Sequence, residues 1–314
     1  MIEINELNKN AMGGTELMQH ALYSRLNKEL LDDFQIIASR VRDIDSSRIP
    51  ILWLHDLAED PEVQNLSQDS YRRQFAKLVF VSNWQFTTYN KVLGVPYNCS
   101  TILRNAIEPI PDHIKDFDGP IRLIYHTTPH RGLHLLLQAY STLSEEYGDR
   151  LHLDVYSSFK IYGWEQRDEL YQELFNFCKN HPHITYHGSV PNSEIREALQ
   201  KAHIFAYPSI WPETSCIAAI EAMSAKCLVV CPQYAALPET TAGFAMDYDY
   251  DDENMENNLF NFYNSLKWSI DNIEKLNFHT NAQKRYIDGM YNWDLRAKEW
   301  IRQLELIKMK WKNI

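Results

Sequence analysis

Short apolar runs rich in β-branched and aromatic residues alternate along the chain with longer stretches whose apolar residues recur at helical spacing. The predicted strands cover residues 35–38, 51–54, 78–81, 101–103, 121–125, 151–156, 184–186, 204–207 and 228–231. The predicted helices include 17–30, 133–143, 168–178, 193–200, 217–225 and, near the end, 293–309. This alternation predicts an α/β fold in which parallel sheets are wrapped by helices.

The length of 314 residues exceeds the comfortable size of a single core and predicts two domains. Proline and glycine cluster in a polar stretch at 108–120, which we interpret as the linker. The expected domains are residues 1–117, completed by a helix at about 294–314, and residues 118–293. Only four predicted strands precede the linker, so the N-terminal domain is expected to be trimmed.

The charge and cysteine content restrict the class of protein. A net charge of −11 disfavours non-specific binding to nucleic acid or anionic lipid, because both require a positive field. Five cysteines without a Cys-x-x-Cys pair fit a reduced, cytoplasmic compartment. The N-terminal sequence does not have the pattern of a signal peptide, and no apolar run approaches the roughly 20 residues that span a bilayer. We therefore expect a soluble protein.

The most informative segment begins at the end of a predicted strand, at Tyr207, and continues into a helix that is expected to open near Thr214. Thr214 or Ser215 is predicted to cap this helix, and its first amides would form a phosphate site. Glu213 and Glu221 stand at the two ends of this turn. They can bind the hydroxyls of a sugar and of a ribose. Equally, Glu213 can merely favour the helix N-terminus while Glu221 is a solvated surface residue.

Glu213, seven residues and then Glu221-Ala-Met resemble the Glu-x7-Glu signature of glycosyltransferase family 4, a family of retaining GT-B enzymes. The resemblance implies two facing Rossmann-like domains, with the acceptor bound mostly to the first and the donor mostly to the second. It also implies a C-terminal helix that crosses back to the first domain. It implies that Glu213 contacts the transferred sugar and that Glu221 binds the nucleotide ribose. Thr214, Ser215 and Cys216 would then face the donor, and their amides would hold its diphosphate.

A second segment, Tyr125-His-Thr-Thr-Pro-His-Arg-Gly-Leu, is similar to the Arg-x4-Lys-Gly motif of the same family. Arg131 occupies the position of the lysine, and the resemblance implies that it neutralises the donor diphosphate. His126 stands where the family has arginine, which makes the grip on the diphosphate weaker or pH-dependent. Thr127 lies beside it in the same donor loop. The alternative is that Arg131 is an ordinary surface residue early in a helix.

Weaker resemblances complete the expected site. His187-Gly-Ser-Val is similar to the family's Gly-x-Val segment, which makes Ser189 and Val190 the expected contacts of the nucleobase. Gly13 and Gly14 resemble the glycine loop that approaches the donor phosphate or the acceptor, although a plain turn before a helix has the same pattern. His55 follows a strand as in the family's strand-His-Asp element, and it is expected near the anomeric centre.

The resemblance implies a retaining, metal-independent hexosyltransferase that needs no cofactor besides its donor. Glu213, Arg131 and His55 are the expected catalytic residues. The favoured account of the family is a front-face attack in which the leaving diphosphate takes the acceptor proton. UDP-glucose is the favoured donor, with GDP-mannose or another nucleotide sugar possible, and a saccharide or another hydroxyl compound is the expected acceptor.

Two other functions remain open on the sequence. One is a GT-B-shaped epimerase or phosphorylase, and the other is a non-catalytic module that binds nucleotide sugars. An acidic stretch at 247–253 contains Asp-x-Asp, the metal-diphosphate motif of the other large glycosyltransferase architecture. Because it trails an apparently complete sheet and has no partner motif, we interpret it as a solvated loop.

Overall fold

The structure, a computed structural model, describes residues 13–311, and these form two compact units. The first unit contains Gly13–Glu108 and residues 290–311, and the second contains Pro109–Gly289. Among the described residues no helix is long and apolar enough to cross a membrane.

The first unit has a four-stranded parallel sheet in the order β1-β2-β3-β4 within the described residues. Its strands are β1 Phe34–Ala38, β2 Ile49–Trp53, β3 Lys77–Phe80 and β4 Ser100–Ile102. Its helices are α1 Gly14–Tyr23, α2 Lys28–Asp33, α3 Asp69–Arg72, α4 Asn83–Leu93 and α12 Trp293–Trp311. Trp300 of α12 packs edge-on against Trp53 at 4.9 Å between ring centroids, so the last helix completes the core of this unit.

The second unit has a six-stranded parallel sheet in the order β10-β9-β8-β5-β6-β7. Its strands are β5 Ile121–Tyr125, β6 Leu151–Val155, β7 Ile184–Tyr186, β8 Ile204–Ala206, β9 Leu228–Pro232 and β10 Met246–Tyr248. Its helices are α5 Leu133–Tyr147, α6 Gln172–Asn180, α7 Asn192–Lys201, α8 Ile217–Ser224, α9 Leu237–Thr241, α10 Met255–Asn272 and α11 Asn277–Met290. The inner strands β8 and β9 are buried along their whole length, as continuous apolar runs covered by helices require.

All nine predicted strands are present, but β10 is missing from the prediction. Met246–Tyr248 pairs with β9 at the edge of the sheet, so the expectation that the sheet is complete before Asp247 was wrong. A three-residue edge strand with a half-buried aspartate has no apolar run that would reveal it.

The predicted helix at 17–30 was also wrong, because it is two helices. The Asn27 side chain accepts a hydrogen bond from the Leu30 amide at 2.9 Å and caps the start of α2. A new helix therefore begins there, although the apolar residues keep their helical spacing across the whole stretch.

The polar stretch interpreted as a linker packs on the second unit. Ile110 is buried, and the Lys115 amine donates to the backbone oxygen of Leu199 at 2.7 Å and of Gln200 at 3.2 Å, at the end of α7. A lysine at this position satisfies carbonyls that the helix leaves without partners. The boundaries predicted at 117 and 293 stay predictions.

Candidate active site

Two loops of the second unit lie side by side at the carboxyl edge of its sheet. One follows β5 and contains His126 and Arg131, and the other follows β8 and contains Glu213. Because β5 and β8 are neighbouring parallel strands, both loops leave the sheet at the same edge. Ligands of open α/β sheets bind at this edge.

Gly132 allows the two loops to touch. Its φ is +118°, and a Cβ at this residue would lie 2.0 Å from the backbone oxygen of Pro208. Next to this approach, the Ile210 amide donates to the backbone oxygen of Arg131 at 3.3 Å. Only glycine combines this φ with such close contact, so the approach of the two loops requires glycine directly after Arg131.

Arg131 and Glu213 form an ion pair across the two loops. The guanidinium bonds Glu213 Oε1, and the Tyr207 hydroxyl donates to the same oxygen. The two charged side chains are only 19% and 8% exposed, and Arg131 Nε also donates to Thr128 Oγ1 at 3.2 Å. Desolvation is the largest effect and opposes the charge of Arg131, but Glu213 together with Tyr207 and Tyr162 outweighs it, so the pKa of the guanidinium lies well above its ordinary value. The surface-residue alternative for Arg131 therefore fails.

The helix after Glu213 begins at the first residue of the predicted range 217–225, three residues beyond the opening expected near Thr214. α8 starts at Ile217, and Cys216 occupies the cap position with a φ of +55° and no side-chain cap bond. The expected capping by Thr214 or Ser215 was wrong. Ser215 is buried, and its backbone oxygen accepts a bond from the Thr240 hydroxyl at 2.6 Å. The positive end of α8 nevertheless begins only four residues after Glu213.

Glu221 is buried inside α8, not solvated at the surface. Asn192 Nδ2 donates to its carboxylate at 3.1 and 3.3 Å, and Arg196 Nη1 donates at 3.0 Å. Burial raises the pKa of Glu221, while Arg196 and Asn192 act in the opposite direction. The solvated alternative for Glu221 is thus excluded, and the sequence analysis did not include Asn192 or Arg196. Asn192 and Arg196 are four residues apart on α7 and therefore share one of its faces, which is the sequence signal that could have indicated them as partners of a common group.

His126 is half-buried at the end of β5, with its ring 4.6 Å from that of Phe205. Burial lowers the pKa of His126 to about 3, so the imidazole is neutral near pH 7. No hydrogen bond reaches its Nε2 from the described residues. Thr127 follows it and is half-buried, while Ser189 is exposed and Val190 half-buried in the loop after β7, two strands from β5.

The remaining predicted residues belong to the first unit. Gly13 is buried and precedes α1 with an extended backbone, and Gly14 is the first residue of that helix. His55 follows β2, with its ring 4.6 Å from the ring of Trp53. Desolvation by the surrounding protein lowers the pKa of His55 to about 3. The roles expected for these three residues stay predictions.

Asp247 is part of β10, so the interpretation of 247–253 as an entirely solvated loop was wrong at its first two residues. Across residues 13–311, no group of three or more histidine, cysteine, aspartate or glutamate side chains is arranged to hold a metal ion.

Residues 120–248 match the family model of glycosyl transferases group 1. No curated protein matches the chain by sequence. The fold is similar to that of a glycosyltransferase from Rickettsia africae ESF-5, with 14% identity and a TM-score of 0.67 over 96% of this chain and 84% of that one.

Two further structures share the fold. HepE from Anabaena, solved in complex with UDP-glucose, has 14% identity and a TM-score of 0.65 over 82% of this chain and 72% of its own. Sucrose-phosphate synthase from Thermosynechococcus elongatus has 13% identity and a TM-score of 0.63 over 84% and 69%. The predicted α/β fold with two Rossmann-like domains, as in GT-B glycosyltransferases, is thereby confirmed.

Proposed function

We propose that this protein is a retaining, metal-independent glycosyltransferase that moves a hexose from a nucleotide-diphosphate sugar to a hydroxyl acceptor. The observation that carries the proposal is the buried Arg131–Glu213 pair, held at the carboxyl edge of the sheet beside the start of α8. Both residues lie inside the segment that matches the glycosyl transferases group 1 family.

Arg131 supplies the positive charge that the leaving diphosphate requires. As the bond to the sugar breaks, negative charge builds on the diphosphate, and a guanidinium fixed in place stabilises this charge without reorganisation. The raised pKa of Arg131 keeps the guanidinium charged throughout. The amides at the start of α8 and the helix dipole add to this field.

Glu213 is proposed to orient the transferred sugar. One of its oxygens already accepts hydrogen bonds from Arg131 and Tyr207, which fixes the orientation of the carboxylate. The other oxygen can then accept hydrogen bonds from a ligand. A carboxylate held by two donors binds sugar hydroxyls in a defined direction. Glu213 needs to form no covalent bond in this role.

Glu221 is proposed to bind the ribose of the donor. Arg196 and Asn192 hold its buried carboxylate, so it is oriented before any ligand arrives. Two carboxylate oxygens offer more acceptor sites than these two residues use. A ribose diol can therefore share the carboxylate with them.

UDP-glucose is the proposed donor, because HepE, which shares the fold, was solved in complex with this compound. The test is turnover of UDP-glucose with and without EDTA, followed by release of UDP. We expect EDTA to leave turnover unchanged, because Arg131 and the α8 amides are proposed to stabilise the diphosphate in place of a divalent metal ion. The first glycoside formed should keep the anomeric configuration of the donor, as NMR of the product can determine.

A non-catalytic nucleotide-sugar-binding module is the second candidate, and His126 favours it. Its imidazole is neutral near pH 7 where the related family has a cation, so this residue adds no charge at the expected diphosphate. Donor hydrolysis separates the two candidates. A module of this kind binds UDP-glucose, measured by a raised melting temperature, but releases no UDP.

A further inference from the structure

Next to the Arg131–Glu213 pair lies a row of aromatic rings that has no role in the proposed donor site. We call the rings of Trp211, His130, Phe159 and Trp164 the aromatic platform. His130 stacks on Phe159 at 5.1 Å with 19° between the planes, and it meets Trp211 edge-on at 4.9 Å. Arg131 lies 6.0 Å from the centre of the Trp211 ring, so the platform begins at the candidate site.

Arg167 links Phe159 to Trp164, the last ring of the platform. Its guanidinium lies 4.4 Å from the ring centre of Trp164 and 5.9 Å from that of Phe159. Such distances are those of cation–π contacts. The platform thus continues from Trp211 to Trp164 through ring and guanidinium contacts.

The platform is rigid but remains open to solvent. The Asp168 carboxylate accepts bonds from the Ser158 hydroxyl at 2.5 Å and from the Phe159 amide at 2.7 Å, which fixes the loop after β6. Phe159 is buried and anchors the row, whereas Trp164 and Trp211 are 40% and 39% exposed. Packing alone therefore explains Phe159 but leaves about two fifths of each tryptophan side chain exposed to solvent.

Arg167 places a positive charge against the rings of Trp164 and Phe159. No ion pair with Arg167 exists among residues 13–311, although its neighbour Lys160 pairs with Glu165 at 3.3 Å. Asp168 is turned inward to the Ser158 and Phe159 bonds. Burial and the charges of Arg131 and Arg167 lower the pKa of His130 to about 4, so this ring adds no charge near pH 7.

We propose that the aromatic platform is an acceptor subsite for a saccharide of more than one residue that carries an acidic group. The C–H faces of a sugar ring carry partial positive charge and pack against the negative faces of tryptophan rings. The planar fork of Arg167 matches a carboxylate in two hydrogen bonds. This inference rests on the proposed function, because it names the acceptor class of that same site.

The test is calorimetric titration of the full chain with a hexamer of galacturonic acid, compared with neutral maltohexaose. We expect the acidic hexamer to bind about fivefold more tightly, because only its carboxylates pair with the exposed Arg167. R167A should remove this preference, R167K should restore part of it, and W164A should weaken both ligands. Equal binding of the two hexamers, or a preference unchanged in R167A, overturns the inference.

Two substitutions in the same unit serve as matched controls. Trp268 is 45% exposed on α10, and Arg150 is an exposed arginine 6.0 Å from the Tyr147 ring centre. W268A and R150A should leave the binding of both hexamers unchanged. Loss of binding in W268A or R150A equal to that in W164A or R167A contradicts the platform. Circular dichroism melts confirm that each variant is folded.

A parallel titration with UDP-glucose separates this inference from the proposed function. If UDP-glucose binds and the acidic hexamer does not, the acceptor inference alone fails. If the hexamer binds through Trp164 and Arg167 while UDP-glucose does not bind, the subsite remains and its place in glycosyl transfer is refuted.

Discussion

Replacing Gly132 by alanine should both destabilise the second unit and disturb the candidate site. The φ of +118° is unfavourable for alanine, and the added Cβ would lie 2.0 Å from the backbone oxygen of Pro208. The backbone strain costs about 1–2 kcal/mol, and forcing the two loops apart costs about 1–3 kcal/mol. We expect G132A to lower the free energy of unfolding by roughly 2–5 kcal/mol.

Two other glycines of the same unit separate these contributions. Gly243 has a φ of +78° with no atom within 4 Å of an added Cβ, so G243A should show the backbone strain alone. Gly289 lies in α11 with no atom within 4 Å of an added Cβ, so G289A should stabilise by up to about 1 kcal/mol. Urea unfolding of the three variants gives the comparison directly.

G132A should also lower the turnover of UDP-glucose, because the shift of the Pro208 loop moves Glu213 away from Arg131. A misplacement of about 1 Å can cost roughly a hundredfold in rate. G243A should retain the wild-type kcat. If G132A unfolds at the same urea concentration as G243A and retains the wild-type kcat, the contact between the loops does not position the site.

Three further substitutions test single residues. Y207F removes the hydroxyl that donates to Glu213. The kcat should fall roughly tenfold and the free energy of unfolding should fall by about 1–2 kcal/mol. An unchanged kcat would contradict this role of Tyr207. E221Q should raise the donor KM more than it lowers kcat, as loss of ribose binding does, and a lower kcat at constant KM would oppose the assignment. Burial lowers the pKa of His203 to about 4, and its Nδ1 accepts from the Arg122 amide at 2.9 Å. Between pH 6.5 and 4 the unfolded chain binds the proton that native His203 does not, so stability should fall as pH falls, by up to about 1.4 kcal/mol per pH unit. H203Q should reduce this slope in urea unfolding at pH 7 and 5, and an equal slope would show that another group is responsible.

The sequence predicts the strands well because their apolar runs are continuous. β5 and β8 are buried on both faces, so Ile121–Tyr125 and Ile204–Ala206 can be located without knowledge of their neighbours. β10 has one buried residue in three and gives no such signal.

The candidate site could be predicted only in part. The positions of Arg131 and Glu213 follow from a family resemblance, and their contact requires the β5–β8 pairing and the close approach at Gly132. The apolar pattern predicts the start of α8 at Ile217 correctly, but the cap expected at Thr214 or Ser215 was wrong because Cys216 takes that position with a φ of +55°. Arg196 was missed because the side of α7 that faces Glu221 depends on tertiary packing.

The most direct test of the account measures UDP-glucose turnover by Arg131 variants. Because Arg131 is expected to stabilise charge on the leaving diphosphate, R131A should lower kcat by about a hundredfold, or roughly 3 kcal/mol. R131K should recover part of the rate by restoring charge without the planar fork. R122A removes another arginine of the same unit, paired with Asp154 at 3.2 Å, and should retain the wild-type kcat.

R131A leaves the Glu213 carboxylate buried without its cation, so stability must be measured alongside activity. The double variant R131A/E213Q removes that buried charge and should fold more stably than R131A, while its kcat remains low. The account predicts a low kcat in both folded variants. A folded R131A that turns over UDP-glucose at nearly the wild-type kcat would contradict the placement of the diphosphate at Arg131.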